Sequence, residues 1–257
     1  MTIWEMLAVF AAGIGAGTIN TIVGSGTLIT FPVLLATGLP PVVANVSNTI
    51  GLVPGSISGA IGYRKELVGQ RSRILRLGLT ALVGGLIGAV LLLALPSSAF
   101  DMIVPVLIGL ALILVVLQPK LSAALKRRRE QNGDTAGPHP DGGPVLLLGL
   151  LIASAYGGYF GAAQGVLYLS LMGLLLNDSL QRINGVKNIL GAVVNGVAAV
   201  FFVFVAEIDW TAVLLIAVGS ALGGQVGAKI GRRLPPTVLR GVIVAVGLIA
   251  IAQLLLK

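Results

Sequence analysis

The sequence predicts an all-α polytopic membrane protein made of two inverted repeats of about five membrane segments, each with one short or broken segment. Three observations carry that expectation. Hydrophobic residues make up 56% of the 257 residues and charged residues only 10%, against about 25% charged in a typical soluble domain. A mean hydropathy of +1.01 leaves too little polar surface to cover a soluble globule of this size. Two short apolar segments, each preceded by a glycine-containing break, sit at matching places in the two halves, a pattern that points to a transporter's binding region. The same composition excludes disorder, because disordered chains are polar and rich in charge.

Taken in order, the apolar segments fall at about 3–23, 27–38, 42–62, 75–95, 100–118, 145–163, 165–177, 183–206, 211–230 and 238–256. A spanning helix needs about 20 residues, and eight segments come near that length. The stretches 27–38 and 166–176 do not. The only charge at the start of the first run is Glu5, so the cationic start of a secretory signal is missing and this segment is expected to stay in the protein. The halves are related: Gly24-Ser25-Gly26-Thr27-Leu28 lies 139 residues before Ala163-Gln164-Gly165-Val166-Leu167, and the same offset carries Asn45 onto Asn184.

Topology follows from charge. Fourteen of the 17 basic residues fall in three clusters, at 64–76, 120–129 and 229–240, all between apolar runs. This is the positive-inside pattern, with none of the aromatic interleaving of a nucleic-acid surface. No nucleic-acid partner is expected. Placing the basic loops in the cytoplasm and Glu207/Asp209 outside makes the two halves run in opposite directions and leaves both termini outside an inner (plasma) membrane. The domains read as 1–118, the first repeat; 119–143, a flexible basic cytoplasmic linker rich in Pro and Gly; and 144–257, the second repeat. The linker's basic half is expected against anionic lipid headgroups. Glycines 84, 85, 88, 219, 223, 224 and 227 recur at three- and four-residue spacing, which suits close helix packing within a subunit or across a homodimer.

Enzyme chemistry finds little support. The single histidine, His139, lies in the linker, and there is no cysteine, so an intramembrane hydrolase or metalloenzyme lacks its usual base and ligands. No cofactor or metal is expected. The polar residues inside the segments are clustered instead: Asn20, Thr21, Gly24, Ser25 and Gly26; Asn45, Ser47 and Asn48; and Gln164, Gly165, Tyr168, Asn184, Lys187 and Asn188. Broken helices expose backbone N–H groups that attract anions, and Asn, Ser and Gln add neutral donors. Lys187 stands out. It follows Asn184 by three residues, on the same helix face, and a lysine at a membrane helix centre costs about 2.5–3.5 kcal/mol on insertion scales. Its two readings are a cation for an anionic substrate and a side chain snorkelling to the cytoplasmic headgroups.

The residues of the first repeat, from Ala16-Gly17-Thr18-Ile19-Asn20-Thr21 through Gly24-Ser25-Gly26-Thr27 to Phe31-Pro32 and Ala44-Asn45-Val46-Ser47-Asn48, resemble the TauE/SafE sulfite-exporter family. So do Tyr156-Gly157-Gly158-Tyr159-Phe160-Gly161, Asn184-Gly185-Val186-Lys187-Asn188 and Asp209-Trp210 in the second. The resemblance covers nearly the whole chain apart from the linker. It implies a secondary transporter of small anions such as sulfite or organosulfonates, with export favoured, working by alternating access around a mid-membrane site. Ser25 and Ala162-Ala163-Gln164 interrupt the family's longer glycine runs. A transporter of a non-sulfur organic anion and a passive anion channel on the same scaffold are the alternatives.

Overall fold

The structure, a computed structural model, describes residues 1–132, 143–230, 244–245 and 248. Among them lie nine helices: α1 (Ile3–Ile22), α2 (Thr27–Ala36), α3 (Pro41–Gly62), α4 (Arg71–Ala94), α5 (Ser97–Asn132), α6 (Gly143–Tyr159), α7 (Gln164–Leu175), α8 (Leu180–Val205) and α9 (Trp210–Ile230). Their starts are written in local chemistry. At α1, Glu5 N–H donates to Thr2 Oγ1 at 3.3 Å while the Thr2 N–H donates to Glu5 Oε2 at 2.7 Å, a reciprocal cap. Pro41 opens α3, where its missing N–H leaves no bond unmade. The Ser179 hydroxyl accepts the Arg182 N–H at α8, and the Asp209 carboxylate accepts the Ala212 N–H at α9.

Five helical stretches are long and apolar enough to cross a membrane: Ile3–Ile22, Arg71–Ala94, Ser97–Leu117, Leu180–Val205 and Trp210–Lys229. Helix α3 has the length, at 22 residues, but carries Asn45, Ser47, Asn48, Thr49, Ser56 and Ser58, all buried. Polarity has moved inward and apolar side chains outward. Leu79, Leu86 and Leu91 of α4, Val106, Leu110 and Ile113 of α5, and Leu214, Val218 and Leu222 of α9 are exposed. Such a belt would aggregate in water; lipid is its natural solvent.

The two halves are interlaced rather than side by side. Helix α9 packs along α1 and α3, while α4 packs along α6 and α8, and α3 meets α8 between them. Each half therefore lends its fourth helix to the other. Pro41 and Leu180 open α3 and α8, and Arg71 and Trp210 open α4 and α9. Both pairs are 139 residues apart. The same interval separates Gly84 and Gly223, which let those fourth helices approach closely. A Cβ at Gly84 would run into the Leu151 carbonyl of α6, and one at Gly223 into the Ile14 carbonyl of α1. Threonine and serine stitch the contact, with Thr18 Oγ1 donating to the Gly223 carbonyl at 3.1 Å and Ser220 Oγ to the Gly51 carbonyl at 2.9 Å.

Three expectations are corrected. The stretch 119–143 is not a loop throughout, because α5 continues to Asn132; its Leu, Ala, Lys, Arg and Glu residues are good helix formers, and they outweigh the Pro and Gly that follow. The 145–163 segment is a helix of only 17 residues, since it breaks after Tyr159, where glycine takes over. Of the eight near-full segments, five are long and apolar enough to cross; 42–62 drops out on its buried polar residues and 145–163 on its length, while 238–256 falls almost wholly outside the described residues. His139, Arg232, Arg233, Arg240 and most of the 238–256 segment lie outside the described residues.

Candidate functional site

The site forms where both broken helices end. After α1 the chain reverses at Gly24, φ +86°, before α2; after α6 it reverses at Gly161, φ +78°, and Ala163, φ +58°, before α7. Gly24 and Ala163 are 139 residues apart and share the left-handed backbone, which an alanine adopts at a cost of about 1–2 kcal/mol. The two breaks touch main chain to main chain: the Gly165 N–H donates to the Gly24 carbonyl at 3.1 Å. A Cβ on either glycine would strike the Cα of the other.

Helix ends leave carbonyls without intrahelical donors, and here side chains of the opposite half take them up. From α8, Asn184 Nδ2 and Asn188 Nδ2 donate to the Thr21 carbonyl at 3.4 and 3.3 Å. Lys187 Nζ donates to the Asn20 and Thr21 carbonyls, each at 3.0 Å. From α3, Asn45 Nδ2 donates to the Tyr159 carbonyl at the end of α6, at 2.9 Å. Lys187 is only 2% exposed. Its head is turned into the protein, so the snorkelling reading does not hold.

Beside this junction lies a small half-open cavity. Lys187, Asn188, Gly191 and Asn195 of α8 form one wall; Asn20, Gly24, Thr27 and Ser56 another; and Gly161, Gln164, Gly165 and Tyr168 the third. Its polar groups hold one another in place. Gln164 Nε2 donates to the Tyr168 hydroxyl at 2.6 Å, that hydroxyl shares a bond with Ser154 Oγ at 2.7 Å, and Asn195 Nδ2 donates to Ser56 Oγ at 3.3 Å. Gly165 also makes room for the Lys187 stem, whose Cδ a Cβ there would meet at 3.1 Å.

Of the residues singled out in the sequence, Asn20, Gly24, Gln164, Gly165, Tyr168, Lys187 and Asn188 line the cavity. Thr21 and Asn184 sit behind its wall, joined through the Thr21 carbonyl. The Gly26 N–H donates to Asn20 Oδ1 at 3.4 Å, and Ser25 is fully buried with its hydroxyl unpartnered. Asn45, Ser47 and Asn48 do not reach the cavity. Asn48 Nδ2 donates to Thr27 Oγ1 at 3.3 Å and its Oδ1 accepts from Thr30, while Ser47 Oγ accepts the Asp209 N–H at 3.0 Å. Their polarity braces α2 and the α8–α9 turn. Sequence reasoning passed over Ser56, Gly161, Gly191 and Asn195, and left Thr27 out of the site. The α8 members were readable: positions 184, 188, 191 and 195 form one polar or small stripe along an apolar helix.

At one end of the bundle, Asp178 takes Arg73 Nη1 at 2.5 Å and Arg182 Nε at 2.9 Å. Partial burial pushes the Asp178 carboxyl up, but the Arg73 hydrogen bond, the Ser179 N–H and the two guanidinium charges outweigh it and hold the group below the usual carboxylate value. Arg182 also donates to the Val68 carbonyl at 3.0 Å, tying the α3–α4 loop to α8.

A family profile described as "Sulfite exporter TauE/SafE" matches residues 9–254. The chain belongs to the TauE/SafE family. It is similar to the probable membrane transporter protein YfcA of Escherichia coli strain K12, at 28% identity over 93% of this chain and 86% of the relative. A probable membrane transporter protein of Haemophilus influenzae is 26% identical over 97% and 94%, and one of a Sinorhizobium species, ORF9, is 25% identical over 96% and 90%. No solved structure matches the chain. With its apolar belt, this TauE/SafE member is a multi-pass membrane transporter.

Proposed function

We propose that the chain moves small anions, sulfite or organosulfonates first among them, across the inner membrane by alternating access around the cavity at the two helix breaks, with export the favoured direction. The observation that carries this reading is the buried ammonium of Lys187 on the wall of a cavity otherwise lined by neutral hydrogen-bonding groups. Its partners are the Asn20 and Thr21 carbonyls, and among the described residues no carboxylate pairs with it, so a net positive charge remains beside the cavity. At about 4 Å and an effective dielectric near 20, a unit charge attracts an anion by about 4 kcal/mol. Gln164, Asn188 and Asn195 supply neutral amides for oxyanion oxygens, and Tyr168 aims Gln164.

The recurring interval of 139 residues and the exchange of fourth helices support two inverted repeats, and the positive loops support both termini outside. Because the halves are interlaced, the rigid groups in such a cycle are α1–α3–α9 and α4–α6–α8 rather than the contiguous halves. The test is flux of radiolabelled sulfite, a sulfonate and acetate into proteoliposomes, with membrane current recorded alongside. Saturable flux of the sulfur anions, reduced at least tenfold by Lys187→Met, is the expected result. Equal uptake of acetate would move the substrate away from sulfur, and large passive currents would make the protein a channel.

A further inference from the structure

Lys187 does more than line the cavity. Its ammonium sits 3.0 Å from two consecutive main-chain carbonyls, Asn20 and Thr21. Both belong to the last turn of α1 and accept no backbone N–H, since the donors of the following turn, Val23 and Gly24, both go to the Ile19 carbonyl. The C-terminal end of a helix carries about half a negative charge. Orphan carbonyls at the C-terminal end of a half-helix, near mid-membrane and beside a substrate cavity, are the ligand set with which secondary transporters hold a coupling Na⁺ or H⁺. Asn184 joins the same carbonyl through its amide, which donates to Thr21 at 3.4 Å, while its side-chain oxygen is buried without a partner.

The second half shows what the arrangement looks like without a charge. The residue 139 positions before Lys187 is Asn48, and Asn48 turns away to Thr27 and Thr30, leaving the α6 terminus to Asn45 alone. Among the described residues, a cationic side chain thus caps the α1 end and a neutral amide the α6 end.

We infer that Lys187 is a tethered cation standing where a free coupling ion would bind on the α1 terminus, so that this transporter works without Na⁺ or K⁺. The inference rests on the transport reading above but makes a claim of its own. With the stem removed, the carbonyls of Asn20 and Thr21 face an empty place of ammonium size. That place should accept a free monovalent cation.

The experiment uses the full-length protein in detergent at one pH, as wild type, Lys187→Ala and Lys187→Met. Thermal unfolding is followed in equal ionic strengths of the chlorides of Na⁺, K⁺, ammonium, methylammonium and choline. Lys187→Ala is expected to be less stable than wild type and to regain several degrees with ammonium, methylammonium or Na⁺ relative to choline. Lys187→Met, which fills the space with an apolar chain, and wild type are expected to show no cation preference. A folded Lys187→Ala that responds to all five salts alike overturns the inference, as does wild-type stabilisation by Na⁺ or K⁺ over choline. Should Lys187→Ala not survive purification, the wild type decides: equal stability and equal anion flux in choline and Na⁺ support the inference, and a need for Na⁺ overturns it. Every salt is a chloride and the stability arm contains no sulfur anion. Failure of the anion reading would therefore show in the flux assay while the cation result still stood.

Discussion

Asn45 and Asn184, 139 residues apart, perform the same act in opposite halves of the chain. Asn45 Nδ2 donates to the Tyr159 carbonyl that ends α6, and Asn184 Nδ2 donates to the Thr21 carbonyl near the end of α1. Each long helix thus satisfies the broken helix of the other half. In a membrane interior, where no water can replace a lost partner, these two side chains hold the breaks open.

Replacing Asn45 with Ala leaves the Tyr159 carbonyl without that donor. A buried group so deprived costs about 1–3 kcal/mol, and detergent unfolding curves should show a loss of that size. Asn184→Ala should lose less, because Asn188 and Lys187 also donate to Thr21. Equal losses at the two sites would count against this account.

Gly24→Ala and Gly38→Ala separate backbone strain from contact. Both glycines have φ near +85°, but a Cβ at Gly38 meets nothing within 4 Å, whereas one at Gly24 strikes Gly165. Gly38→Ala should show only the conformational penalty of about 1–2 kcal/mol. Gly24→Ala should in addition abolish flux, since the two breaks must part to admit the side chain. Flux from Gly24→Ala proteoliposomes equal to that of Gly38→Ala would refute the close approach.

Gly191 lines the cavity and has open space where a Cβ would be. Gly191→Ala should therefore stabilise the protein, by up to about 1 kcal/mol from helix propensity. Gly191→Leu should keep the fold and block the cavity. A folded Gly191→Leu with wild-type flux would show that substrate travels elsewhere.

Acid should weaken the Arg73–Asp178–Arg182 cluster. The Asp178 carboxyl is held below its usual value, so its contribution to stability is complete above the unfolded pKa and fades as pH falls through the folded one. That places the loss below about pH 4. Asp178→Asn should unfold more readily than wild type at pH 7, and its melting temperature should fall less between pH 5 and pH 3. Parallel acid profiles for the two proteins would exclude Asp178 as the responsible group.

Much of this was legible in the sequence because membrane proteins write their structure plainly. Helices α1, α2, α3, α8 and α9 begin and end within a few residues of the apolar runs, since glycine breaks and charged loops mark them. The two glycine-containing breaks were marked by the repeat, and Lys187 by its place beside Asn184 and Asn188 in an apolar segment. What could not be read was direction across space. Asn45, Ser47 and Asn48 are chemically as suited to a binding site as Asn188, but which face of α3 meets α8 depends on where α9 lies. The continuation of α5 into Lys120–Asn132 was hidden because the glycines and prolines beyond it coloured the whole stretch.

The exchange of fourth helices also sets the order in which the protein can be made. As the chain is synthesised, α4 enters the membrane with its Gly84–Gly88 face bare, for α6 and α8 do not yet exist. Helix α1 keeps an open flank until α9 is made. Neither half can mature alone, so a product truncated after α5 should be removed by quality control. Two separately expressed halves should accumulate only when both are present in the same cell.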